Sequence, residues 1–177
     1  MRILARVLLG AAAAAVALTG GTLVAHAGQQ SPADNQQPSL VEDFSYPGAN
    51  AINASAGITL VSGDGHILYA DCGTPPANNI GVIQVHSTDP IGPSKNGTVC
   101  FKVTAASGTL TLKVTNVYEI RGDGQISGAG HKLKADLTTD AGAHSTVDVN
   151  PSGSTPVGVG TKPDAAPTAL VQLTASS

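Results

Sequence analysis

From Ile58 onward the apolar residues recur mostly at every second position, and the pattern is broken at short intervals by Gly, Pro, Asn and Asp. A period of two sends successive side chains to opposite faces of an extended chain, so the pattern predicts strands with one buried face. In TVCFKVTAASGTLTLKVTNVYEI, Val99, Phe101 and Val103 alternate with Cys100, Lys102 and Thr104, and Leu110, Leu112 and Val114 resume the alternation. The intervening Ala105-Ala106-Ser107-Gly108 reads as a hairpin turn. Further strands are predicted over 81–87, 131–139, 144–150 and 168–175, with residues 140–143, DAGA, as a second hairpin. Residues 150–167 carry several prolines, which cannot donate to a central ladder, and read as an irregular crossing segment. Ahead of the strands, Ser45 or Pro47 starts a short helix that Gly57 closes in the left-handed conformation, with Ala49, Ile52 and Ala56 inward. About eight short strands with polar outer faces predict an all-β fold, an antiparallel two-sheet β-sandwich with a short N-terminal helix.

Two stretches share a phrase, VSGDGHILYADC at 61–72 and EIRGDGQISGAGHK at 119–132. If Gly63-Asp64-Gly65 is a three-residue loop, Leu60 meets Leu68, Val61 meets Ile67, Ile58 meets Ala70 and Thr59 meets Tyr69, matching apolar with apolar. The same register in the second copy pairs Ile120 with Ile126 and Val117 with Ala129. The reading is therefore two equivalent hairpins, with Gly65 and Gly124 left-handed. Asp64 and Asp123 then stand at the tips, and Asp64, His66, Arg121 and Asp123 are the candidate loop-tip binding residues. Calcium is a functional alternative, but it wants six to eight oxygens and each loop offers one carboxylate without a D-x-D-x-D spacing. Arg121-Gly122-Asp123 also spells a three-residue integrin-binding sequence, and a hairpin apex would present it.

The first residues change the picture from fold to destination. Arg2 and Arg6 precede an apolar run from Val7 to Leu18, and Ala25-His26-Ala27 supplies a small-x-small cleavage pattern. Residues 1–27 are expected to be a signal peptide. The alternative, an uncleaved anchor, is disfavoured by a run well short of the about 20 apolar residues a spanning helix needs. Residues 28–43, rich in Gln, Ser, Pro and Asn, read as a flexible segment, and 44–177 as a single domain. The expected product is secreted, extracellular, free of the membrane after cleavage, and monomeric. Its net charge is 7 − 12 = −5 once Arg2 and Arg6 are removed, which favours solubility and disfavours nucleic acid. Cys72 and Cys100 are the two cysteines, and export makes a disulfide between them the leading reading over two buried thiols.

Catalytic chemistry finds little support. Histidines 66, 86, 131 and 144 sit in no G-x-S-x-G, H-x-H or H-x-x-x-H spacing. No catalytic residue, metal or cofactor is assigned. A glycosidase needs paired carboxylates, and the chain beyond Ala27 holds two glutamates, Glu42 and Glu119. Tryptophan is absent, and Phe44, Tyr46, Tyr69, Phe101 and Tyr118 are mostly assigned to the core, which weakens a sugar-stacking surface. The remaining routes to an enzyme are a hydrolase with a non-standard site built from Asp71, His86 or Asp89.

The order YPGANAI, GITLVSGDGHILYADC, IQVHSTD, VCFKVT, LTLKV, VYEIRGDG and TVDVNPSGSTPVGVG resembles small secreted proteins of actinomycetes, over about residues 45 to 175. The resemblance implies export, a disulfide and a compact β domain, and carries no functional residue over. The expected function is a non-catalytic secreted β-sandwich that binds a cell-envelope polymer or another secreted protein through its loops. A hydrolase and a calcium-dependent adhesion module are the alternatives.

Overall fold

The computed structural model describes residues 44–177, so the expectations for 1–27 and 28–43 lie outside the described residues. One helix, α1 (Ala49–Ala56), precedes nine strands: β1 (Thr59–Gly63), β2 (Ile67–Ala70), β3 (Ile83–Ser87), β4 (Thr98–Val103), β5 (Gly108–Arg121), β6 (Lys132–Thr139), β7 (His144–Val149), β8 (Ser154–Pro156) and β9 (Thr168–Ser176). A single 3-10 turn at Gly158–Gly160 follows β8. The strands form one antiparallel sheet in the order β2-β4-β3-β5-β9-β6-β7, with β1 and β8 also paired to β5. The all-β expectation with a short N-terminal helix holds at this level.

α1 ends as its sequence predicts. Gly57 adopts φ 69°, and its N–H donates to Asn53 O at 2.9 Å. Asn53 Oδ1 also accepts the N–H of Leu60 at 2.7 Å, which ties the helix to β1. Ala56 is fully buried, and Ala49 and Ile52 pack against the core.

β5 organises the sheet. Its buried positions are Gly108, Leu110, Leu112 and Val114, and then the phase slips to Val117 and Ile120. The slip is made by bulges opposite β9 and β3, with Asn116 at φ 52°. A bulge adds a residue to one strand and bends it. The first part of β5 lies between β1 and β9, and the last part between β3 and β8. One continuous core of mainly Leu, Ile, Val and Phe side chains, including Phe101, Ile83, Leu110, Ile120, Leu170 and Leu173, is shared by every strand except β8.

The hairpins divide. β6 and β7 are joined through 140–143 as expected, with Thr139 N–H donating to Ala143 O at 2.9 Å. The turn expected at Ala105–Gly108 is not a hairpin, because β4 pairs with β2 and β3 while β5 pairs with other strands. Nor do β1 and β2 pair with each other. Leu60 faces Leu112 in β5, and Ile67 and Leu68 face Val103 and Lys102 in β4. The loop 64–66 is an arch between two regions of the sheet. The physical reason is that alternation fixes which face a residue occupies but not which strand lies beside it.

Cys72 and Cys100 form a disulfide with S–S 2.06 Å and a separation of 28 residues. It fastens the chain beyond β2 to β4, where Cys100 is fully buried. Phe44, assigned to the core from sequence, is instead 59% exposed. Tyr46 fills the inner position and accepts the N–H of Tyr69 on its hydroxyl at 2.6 Å.

Candidate functional site

The two Gly-Asp-Gly stretches do different work. At the first, Gly65 takes φ 81°, as the turn requires. Asp64 Oδ1 accepts the His66 N–H at 3.0 Å, and Oδ2 accepts the Thr109 N–H at 2.9 Å. Asp64 thereby shapes the arch and anchors the start of β5. His66 Nδ1 lies 3.6 Å from Asp64 Oδ2, and both side chains are substantially exposed.

At the second stretch the tip placement of Asp123 is overturned. Its side chain is fully buried, and Gly124 is not among the residues with positive φ. Asp123 Oδ1 accepts the backbone N–H of His131 at 2.9 Å, and Oδ2 lies 2.6 Å from His131 Nδ1. The His131 side chain is only 13% exposed. Gly124 is required for space: a Cβ there would stand 2.2 Å from Ala129 O. Ile120 pairs with Val85 and Thr155, and Val117 with Ser87 and Thr168, so neither meets the partner expected in a hairpin.

These contacts gather three connections. Gly81 N–H donates to Asp123 O at 2.7 Å, Gln125 N–H to Asn79 O at 2.8 Å and Gly124 N–H to Pro151 O at 2.8 Å. The β2–β3, β5–β6 and β7–β8 connections are thus bound to one another around a buried carboxylate. His131 also borders a surface groove of about 380 Å³, together with Ile80, Lys102, Val103, Ala105 and Ala106. The neighbouring Thr104 donates its N–H to His66 O at 2.8 Å. The arch that carries Asp64 and His66 therefore adjoins the segment that walls the groove, and the two Asp–His pairs belong to one loop cluster. Arg121 is exposed at the end of β5, but Asp123, two residues on, is buried, so the Arg-Gly-Asp sequence is not displayed as a unit.

Asp71, His86 and Asp89 are engaged separately. Asp71 Oδ1 accepts the Gly73 N–H at 2.6 Å and shapes the turn at the disulfide. Asp89 Oδ1 accepts from Asn116 Nδ2 at 2.8 Å and Oδ2 from the Thr115 hydroxyl, which braces the bend of β5. The Thr115 and Asn116 hydrogen bonds hold its carboxyl below the usual carboxylate range, against a smaller opposing effect of burial. His86 lies in a cross-strand row, with Nδ1 3.1 Å from Thr98 Oγ1 and Nε2 3.9 Å from Glu119 Oε1. The Tyr69 phenol is pushed up by burial and then by the Asp71 charge.

Among the described residues no group of three or more His, Cys, Asp or Glu could hold a metal ion, and no helix is long and apolar enough to cross a membrane. Sequence reasoning missed the Asp123–His131 pair and the place of Lys102. Eight residues separate the pair with no periodic signal, and Lys102 carries only the mark of an outward strand position. No family model matches the chain, and no curated protein matches it.

Proposed function

We propose that this chain is a secreted, non-catalytic β-sandwich module that engages an extracellular or cell-envelope partner through the loop cluster around Asp123. The observation that carries this reading is the interlocked set of three connections, pinned by a buried Asp–His pair beside an open groove. Rigid loops lose little conformational entropy on binding, which favours recognition by a fixed surface. Export is supported by the Arg2, Arg6 and Ala25-His26-Ala27 pattern, by the disulfide, and by the resemblance to small secreted actinomycete proteins. In the sandwich arrangement, the region built on β1, β9, β6 and β7 faces the region built on β3, β4 and β2. The shared core and the bent β5 support it.

The test is co-sedimentation of the purified protein with isolated cell-envelope material. The comparison is between a loop-cluster double variant, Lys102→Glu with Ile126→Asp, and a sheet-face variant, Thr111→Ala. Loss of sedimentation in the first and retention in the second is expected. Absence of sedimentation in the unmodified protein, or equal behaviour of the two variants, refutes the reading. The mass of the secreted protein, expected to begin at Gly28, tests cleavage after Ala27.

A further inference from the structure

His131 is held from one side only. Asp123 uses both carboxylate oxygens on it, one on the ring Nδ1 and one on the backbone N–H, while Nε2 has no hydrogen-bond partner among the described residues. A carboxylate so placed orients the imidazole and balances charge on it, and leaves the other nitrogen to face what enters the groove. The walls there are apolar, from Ile80, Val103, Ala105 and Ala106. Lys102 is also part of the lining, and its ammonium makes no ion pair among the described residues.

Exposed apolar surface accumulates at the same elements. Leu68, the cross-strand neighbour of Lys102, is 37% exposed. Ile126 is 55% exposed on the loop that carries Asp123, next to Gln125, whose N–H is bound to Asn79 beside Ile80. Leu68 and Ile126 are two of the four exposed large hydrophobic side chains among the described residues, Leu68 paired with a lining residue and Ile126 on the connection that ends at His131.

We infer that the groove binds a small amphiphilic carboxylate, with the acid group against Lys102 Nζ and the unpartnered His131 Nε2 and its short hydrocarbon body against the Ile80, Val103, Ala105 and Ala106 wall. Charge complementarity selects an acid as the occupant. The charged groups at His131 are Asp123 from the β5–β6 connection, which binds it, and Lys102 from β4, which shares the groove lining, while the next residue, Lys132 in β6, donates to the Ser177 carbonyl. The segments 77–81, 104–106 and 150–153 present none. Asp123 places a buried negative charge behind the ring, which balances a cationic group at this nearly buried position. An alcohol would satisfy Nε2 but leave the ammonium without its anion. A volume of about 380 Å³ lies near the lower end of the range for small-molecule sites, so the body is short.

This inference rests on the loop cluster being the binding region. It is tested by following the backbone amide spectrum of the intact secreted domain on titration with hexanoate and, separately, with 1-hexanol. Hexanoate is expected to shift the Lys102, Ala105, Ala106 and His131 amides saturably and to bind at least tenfold tighter than 1-hexanol. Lys102→Met, an exposed substitution, should weaken hexanoate at least tenfold and leave 1-hexanol unchanged. His131→Gln, if it folds, should do the same. Unmoved groove amides, or equal hexanoate affinity in Lys102→Met and the unmodified protein, overturn the assignment. Shifts confined to other loops of the cluster sink the groove alone. Groove binding without envelope co-sedimentation would uphold the groove and refute the polymer-binding reading.

Discussion

Replacing Asp123 by Ala should be the most damaging single change of a charged residue in the domain. The carboxylate is fully buried and accepts two N–H groups of His131, at 2.9 Å and 2.6 Å. Each stranded buried donor costs about 1 to 3 kcal/mol, and loss of one partner of a buried pair costs about 3 to 5 kcal/mol. The two routes agree on about 3 to 5 kcal/mol, a large share of the roughly 5 to 15 kcal/mol that holds a domain folded. Asp123→Asn should cost less, about 1 to 2 kcal/mol. It keeps the shape and one acceptor, and a neutral His131 can move its proton to Nε2 and accept the new amide N–H on Nδ1. Urea denaturation at neutral pH measures both costs, and ring nitrogen chemical shifts of His131 read the tautomer. An Ala variant within about 1 kcal/mol of the unmodified protein, or an Asn variant as damaged as the Ala one, would refute the reasoning.

Removing the disulfide by Cys72→Ala with Cys100→Ala should lower stability by about 3 to 4 kcal/mol in the chain-entropy model for a separation of 28 residues. Reductant should then leave the variant's denaturation midpoint unchanged while lowering that of the unmodified protein. Gly65→Ala should cost about 1 kcal/mol, since its φ of 81° is disfavoured but its surroundings are open. Gly124→Ala should cost at least about 2 kcal/mol, because its Cβ meets a carbonyl oxygen; equal thermal midpoints for the two would contradict the difference in their roles. Asp89, held low by Thr115 and Asn116, binds fewer protons folded than unfolded. Its contribution is present above the ordinary carboxylate value and lost as pH falls through the folded one. Asp89→Asn should flatten the acid limb of the stability curve, and an unchanged limb would remove that role.

Strand positions were legible because alternation needs only the local sequence. The spans 131–139, 144–150 and 168–175 became Lys132–Thr139, His144–Val149 and Thr168–Ser176. Partners were not, since several pairings satisfy the same alternation. The apolar matches expected for Ile67 and Tyr69 within a hairpin are made equally well by Val103 and Phe101 in β4. Glycine was half legible: Gly65 answers a conformational demand that local sequence announces, whereas Gly124 answers the close passage of Ala129 O from its own connection. The candidate site was least visible. Asp123 was singled out for the wrong reason, as a tip, when its importance lies in being covered.

The position of β9 bears on how the protein comes into being. This last strand lies between β5 and β6 and supplies Leu170 and Leu173 to the core. A chain emerging from the ribosome therefore lacks its central plank until residue 168 and beyond are made, and the earlier strands have no complete sheet to join. Pairings such as Gly108 with Ala175 span about half of the domain, and contacts so distant in sequence form late and slowly. Delay of this kind keeps a nascent polypeptide loose while it is synthesised, the condition in which a chain can still be threaded through a narrow translocation channel.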